Sequence, residues 1–252
     1  MKPPNPSKST ELTFDDFRKR AADDSLSQYE KIGFPDSYRE GKEDLIFADV
    51  RRKLTNLEKQ GQTILDIGPG CSGPAFSLIE WCRQHRHRLV LIDSQEMLSR
   101  LPDEAFVEKF SGKYPAECGD IVEKYCGRID AVICYSVLHY VFVETNLFDF
   151  LDHSLSLLAD GGEMLIGDIP NQSQRKRFFS SRNGVKFHQA FTGTNEKPEV
   201  SFNSVETGKI DDSVLIGIIL RARAAGYDAY LLPQPSDLPM ANRREDILIK
   251  KP

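Results

Sequence analysis

The segment Thr63 to Gly73, TILDIGPGCSG, places an acid, Asp66, inside an apolar run and follows it with Gly68, Gly70 and Gly73. Glycine at a strand-to-helix turn leaves no Cβ in the way and permits unusual backbone angles, so a ligand can lie against main-chain N–H groups and the positive end of the next helix. A second acid, Asp93, closes the next apolar run, VLID. A carboxylate at the carboxyl end of a parallel strand can accept both hydroxyls of a ribose diol. Together the two segments point to a nucleotide-type cofactor. The same glycines also suit a tight turn that packs a helix on a sheet, and their spacing to Asp93 satisfies the dinucleotide fingerprint of an NAD-dependent dehydrogenase. Asp66 counts against that fingerprint. It adds negative charge where a dehydrogenase places pyrophosphate, whereas a cationic cofactor tolerates it.

The elements around these residues must form a sheet with ligands at its strand ends. Apolar runs predict strands at 63–67, 88–92, 114–118, 129–135 and 162–168, alternating with helices at 73–86, 95–101, 120–126 and 144–159. Such alternation predicts an α/β fold, a mostly parallel sheet with helices on both faces and right-handed crossovers. A helix at 211–225 stops at Gly226, and YDAYLLP and EDILIKK then read as two strands with only a turn-rich segment between them. That ending predicts a C-terminal antiparallel hairpin. Ahead of the first strand, Phe14 to Asp24 and Glu43 to Lys59 have helical apolar spacing, with an ordered loop between them. The expected organisation is a disordered tail at 1–12, a helical cap at 13–60 and a ligand-binding domain at 61–252.

Composition narrows the class. The 252 residues carry a net charge of −5, which argues against a generally nucleic-acid-binding surface. Cys71, Cys82, Cys118, Cys126 and Cys134 are dispersed and form no CxxC pair, so they read as reduced cysteines and no metal site is expected. The first residues, MKPPNPSKSTE, lack an apolar signal core, and no apolar run approaches a membrane span. A cytoplasmic protein without a membrane or nucleic-acid partner is expected. Association into a homo-oligomer is left open.

In ILDIGPGCSG, the VLID ending at Asp93, the ECGD ending at Asp120, IDAVICYSVLHYV and LLADGGEMLIGD, the chain resembles the class I S-adenosylmethionine-dependent methyltransferases. The resemblance runs from about Glu43 to the C-terminus and implies a seven-stranded Rossmann-like fold with S-adenosyl-L-methionine as cofactor. It implies that the turn at Asp66, Gly68, Pro69, Gly70 and Ser72 lies under the methionine part, that Asp93 beside Ser94 takes the ribose, and that Asp120 with Ile121 addresses adenine. Tyr135, at the end of the fourth strand, completes the cofactor set. His139 and Tyr140 stand where that family places groups facing the methyl and its acceptor. Imidazole titrates near neutrality, so His139 is the candidate base, with helix packing as the alternative.

The acceptor is expected to be a small molecule carrying an oxygen nucleophile, acidic or sugar-like. Asp168 ends the fifth strand at the crevice, and Arg175, Lys176, Arg177, Arg182 and Lys186 follow it in an otherwise acidic chain. Guanidinium pairs carboxylate or phosphate bidentately, which makes Arg175 and Arg177, with Arg39 from the cap, candidates for holding such an acceptor. A solvated helix face is the plainer account of that charge run. His188 in VKFHQAF is a further acceptor-side candidate, and Tyr29, Phe34 and Tyr38 could shield the site from water. No NPPY-type tetrapeptide follows the fourth strand, which disfavours bases of nucleic acids and glutamine as acceptors. A non-catalytic relative that keeps the fold is the remaining alternative.

Overall fold

The computed structural model describes residues 12–204 and 206–252. The expected tail falls almost wholly outside them. Helices α1 (Phe14–Ala22), α2 (Gln28–Lys31), α3 (Asp36–Arg39) and α4 (Glu43–Lys53) precede strand β1 (Thr63–Ile67). Then come α5 (Gly73–His85), β2 (Arg88–Asp93), α6 (Gln95–Leu98), β3 (Val107–Ser111), α7 (Gly119–Tyr125) and β4 (Ile129–Tyr135). They are followed by α8 (Leu138–Glu144), α9 (Leu147–Leu157), β5 (Leu158–Pro170), α10 (Gln172–Ser180), α11 (Arg182–Thr192), α12 (Asp212–Ala224), β6 (Asp228–Pro233) and β7 (Arg244–Lys250).

The strands form one sheet of seven in the order β3-β2-β1-β4-β5-β7-β6, parallel from β3 to β5, with β7 antiparallel to both of its neighbours. The terminal hairpin is therefore present, and β7 inserts between β5 and β6. Alternate residues of each central strand feed two cores. Leu65, Val90, Val132, Met164 and Ile166 pack with Ile121, Phe150, Leu155 and Ile218 on one face. Ile64, Leu89, Leu91, Ile133 and Leu165 pack with Val50, Leu78, Ile79 and Cys82 on the other. Helix cover on both faces is why these strands read as unbroken apolar runs.

The third strand departs from the sequence expectation. It occupies 107–111, not 114–118, because the N–H groups of Glu117 and Cys118 are spent on turn bonds to the carbonyls of Lys113 and Pro115. As an edge strand, VEKFS is only partly buried and carries charge, which masks its pattern. The helix expected at 144–159 is α9, shorter at both ends and capped by Asn146, whose side chain accepts from the N–H groups of Phe148 and Asp149, and α8 precedes it where the sequence predicts no element. The helix expected through Lys59 stops at Lys53 and continues as a 3₁₀ turn at Thr55–Glu58. The segment expected as a loop holds α2 and α3, and the chain after β5 holds α10 and α11.

Candidate active site

After β1 the chain turns through Gly68 and Gly70, at φ +74° and +64°. A Cβ on Gly68 would fall 2.6 Å from Cγ2 of Val137, and one on Gly70 would fall 2.7 Å from Cγ2 of Ile32. Both glycines are thus demanded by backbone angle and by close packing. The turn is tied to the neighbouring strand through its acid: the Gly70 N–H donates to Oδ2 of Asp93 at 3.0 Å, and the Ser94 N–H donates to Oδ1 at 2.7 Å. Asp66, one strand over, is buried. The glycine turn, both acids, Pro69, Ser72 and Tyr135 line one cavity of about 190 Å³.

The charge of that cavity is uneven. Among the described residues neither Asp66 nor Asp93 has an ion-pair partner within 4 Å. Burial, and then the charge of Asp93, push the Asp66 carboxyl up to about 8. Burial pushes Asp93 up to about 6 against the opposing N–H groups of Ser94 and Gly70. Lys113 also lines the cavity, but it pairs with Glu144 at 2.5 Å.

The N-terminal helices roof this space, with Phe14, Phe17, Ile32, Phe34 and Arg39 in its wall. Arg39 reaches from the end of α3 to the strand ends. Its Nη2 donates to Oγ of Ser136 at 2.7 Å and to Oδ2 of Asp168 at 3.0 Å, while its guanidinium lies 4.0 Å from the centre of the Phe34 ring. Ser136 also bonds directly to Asp168. Arg244 completes the cluster, donating to Oδ2 and to the carbonyl of Asp168 at 2.9 and 2.8 Å. Ser136 and Asp168 both have left-handed backbone, at φ +62° and +58°, which non-glycine residues seldom adopt and which persists where the surroundings over-determine it. Asp246, below them, accepts from the Asp168 N–H at 2.8 Å and pairs with Lys53.

The remaining sequence candidates are dispersed. Ser94 is buried and caps α6, Ile121 belongs to the core, and Asp120 is exposed at the start of α7, where its carboxylate accepts from the Ile121 N–H at 3.1 Å. None of the three lines the glycine-turn cavity. Asp168 lies in the arginine cluster and not in the cavity wall. Arg177 is exposed and pairs with Asp212, Arg175 lies over the Phe179 ring, and His188 meets the same ring edge-on at 6.2 Å. These three are also outside the wall, and Arg175, Arg177, Arg182 and Lys186 of α10 and α11 are exposed to solvent.

The rings of His139 and Tyr140 on α8 lie 3.9 Å apart with their planes tilted by 43°, but they face different surroundings. Tyr140 lines the glycine-turn cavity, whereas His139 lines a second one, of about 330 Å³, to which Tyr140 and Glu144 also contribute. Burial, then the charge of Arg244, hold His139 down to about 3, so its imidazole is neutral at physiological pH and poorly matched to general-base work there. Burial raises Tyr140 to about 12. Sequence reasoning missed Ser136, Arg244 and Glu144. Ser136 follows β4 directly and was within reach of a strand-end argument, while Arg244 and Glu144 have no local signal.

No protein-family model matches the sequence. No curated protein matches it either. Among solved structures, the fold is similar to that of an S-adenosylmethionine-dependent methyltransferase from Archaeoglobus fulgidus, at 15% identity and a TM-score of 0.52 over 86% of this chain and 97% of that one. It is similar to the plantazolicin methyltransferase BpumL, solved with a monoazolic desmethylPZN analogue and S-adenosylhomocysteine, at 12% identity and a TM-score of 0.54 over 94% and 97% of the two chains. An O-methyltransferase family protein from Burkholderia thailandensis matches at 17% identity and a TM-score of 0.54 over 95% of this chain, which spans 62% of that structure's length. The fold is the seven-stranded α/β fold of S-adenosylmethionine-dependent methyltransferases.

Proposed function

We propose that the protein is a cytoplasmic S-adenosylmethionine-dependent methyltransferase acting on a small molecule through an oxygen nucleophile, with residues 13–60 as a cap over a cofactor domain at 61–252. The observation that carries this reading is the pair of buried carboxyls, Asp66 and Asp93, facing one cavity with no ion-pair partner among the described residues. A cofactor bearing an ammonium and a sulfonium brings the missing charge. Bound there, S-adenosylmethionine supplies a methyl group activated for displacement.

The chain's own residues fit it. A carboxylate has about four acceptor sites, and the two N–H bonds to Asp93 leave room for ribose hydroxyls. The backbone turn at Gly68 to Ser72 lines the cavity, and Tyr135, Tyr140, Phe17 and Phe34 give it an aromatic wall that keeps water out. The cavity, about 190 Å³ in volume, is partly open, and α1–α3 supply part of its wall. Arg39 and Lys113, the cations in the wall, are already paired, and this favours a neutral acceptor over the acidic one expected from the basic run after β5.

Calorimetric titration with S-adenosylmethionine, S-adenosylhomocysteine and NAD tests the reading. The first two are expected to bind and NAD is not. Binding of NAD alone overturns it.

A further inference from the structure

The second cavity lies on the far side of Tyr140 from the glycine turn, between α8, the end of β5 and the segment leading into α12. Its size, about 330 Å³, is within the range of small-molecule pockets. Much of its wall is apolar, from Leu12, Val143, Pro170 and Ile210. Two of its lining residues carry a buried polar atom with no hydrogen-bond partner: Nδ1 of His139 and Oε1 of Gln172. Leaving such an atom unpaired is costly, and native structures keep few of them without a reason. A glutamine Oε1 accepts only, and Nδ1 of a neutral imidazole accepts when the proton sits on Nε2, so one donor from outside the protein suits both.

We propose that this cavity binds the methyl acceptor, and that the acceptor is a neutral, largely apolar molecule whose hydroxyl donates a hydrogen bond to His139 or Gln172. The proposal rests on the first cavity being the cofactor site. Tyr140 and Glu144 belong to both walls, so an occupant of the second cavity is separated from the first by side chains of a single helix. Glu144 adds no free charge, since one oxygen accepts from the Phe14 N–H at 2.9 Å and the other from Lys113 at 2.5 Å. The wall also holds Thr13 and Lys209, so the preference for a neutral acceptor rests on the two acceptor atoms, which repel an anion's oxygens at the hydrogen-bonding position.

The test uses 2-naphthol as probe, with 2-methoxynaphthalene, which lacks the donor, and 2-naphthoate, which carries the charge. Binding is read by fluorescence titration of the full chain saturated with S-adenosylhomocysteine, and again without it. Saturable binding of 2-naphthol, at least about tenfold tighter than either control, is expected, in line with one buried hydrogen bond. Val143→Trp fills the cavity from a half-exposed position on α8, and His139→Phe with Gln172→Leu removes both acceptor atoms. Each variant should lose about tenfold or more in 2-naphthol affinity while binding S-adenosylhomocysteine as the parent does. Equal affinity in parent and variants, tighter binding of 2-naphthoate, or no 2-naphthol binding overturns the proposal. Loss of S-adenosylhomocysteine binding by the parent protein itself strikes the cofactor reading instead, and the titration without cofactor keeps the two failures apart.

Discussion

Two pairs of buried carboxylates stand at the same end of the sheet and are treated in opposite ways. Asp168 and Asp246, on β5 and β7, are balanced by Arg39, Arg244 and Lys53. Asp66 and Asp93, on β1 and β2, have no ion-pair partner among the described residues; burial raises both, as it raises Asp246 in spite of Lys53. Burying a charge is costly unless it is paired, so an unbalanced pair beside a cavity marks where an outside cation is to be received, and a balanced pair marks a fastening. The first is the candidate cofactor site. The second ties the N-terminal helices to the strand ends that roof it.

The largest effect should come from breaking the balanced pair. Asp168→Ala leaves Arg39 and Arg244 buried without their carboxylate, and removal of one partner from a buried ion pair costs about 3–5 kcal/mol. Denaturant unfolding should show a loss of that order. A loss below about 1 kcal/mol would mean that the cluster is not the fastening described.

At the unbalanced pair the same kind of change should have the opposite sign. A carboxyl raised in the folded state contributes stability that is fully present below its unfolded pKa, near 4, and is lost as pH rises through the folded value. For Asp66 that window runs from about 4 to about 8. The cofactor-free protein should therefore lose stability across this window, and Asp66→Asn should flatten the loss while weakening S-adenosylmethionine binding. Thermal unfolding between pH 5 and pH 8.5 checks the slope. A mutant with the parent's pH dependence would remove Asp66 from the account.

The two regions also differed in how far the sequence revealed them. The glycine turn and Asp93 were legible because each is local: an apolar strand, a turn residue and an acid within a few positions. The strands β1, β2 and β4 were legible because helices bury both of their faces. The arginine cluster was not, since it joins residues 129 and 76 positions apart whose types carry no joint pattern. The short α2 did leave a trace in Ser27 and Glu30, a capping box that closes in the structure, and the loop reading passed over it. Edge strand β3 was placed seven residues late because its half-buried, charged face resembles a loop more than a strand. His139 was chosen for an intrinsic pKa near neutrality, and burial removes that advantage.

The central claim is that the unbalanced carboxyls receive the cofactor. Titration of S-adenosylhomocysteine into Asp93→Ala, alongside the parent protein at pH 7.5, tests it most directly. Loss of hydrogen bonds to a charged group should weaken binding by about 1.5–3 kcal/mol, roughly ten- to a hundredfold, in a protein whose circular dichroism is unchanged. Parent-like affinity in the folded mutant would contradict the claim.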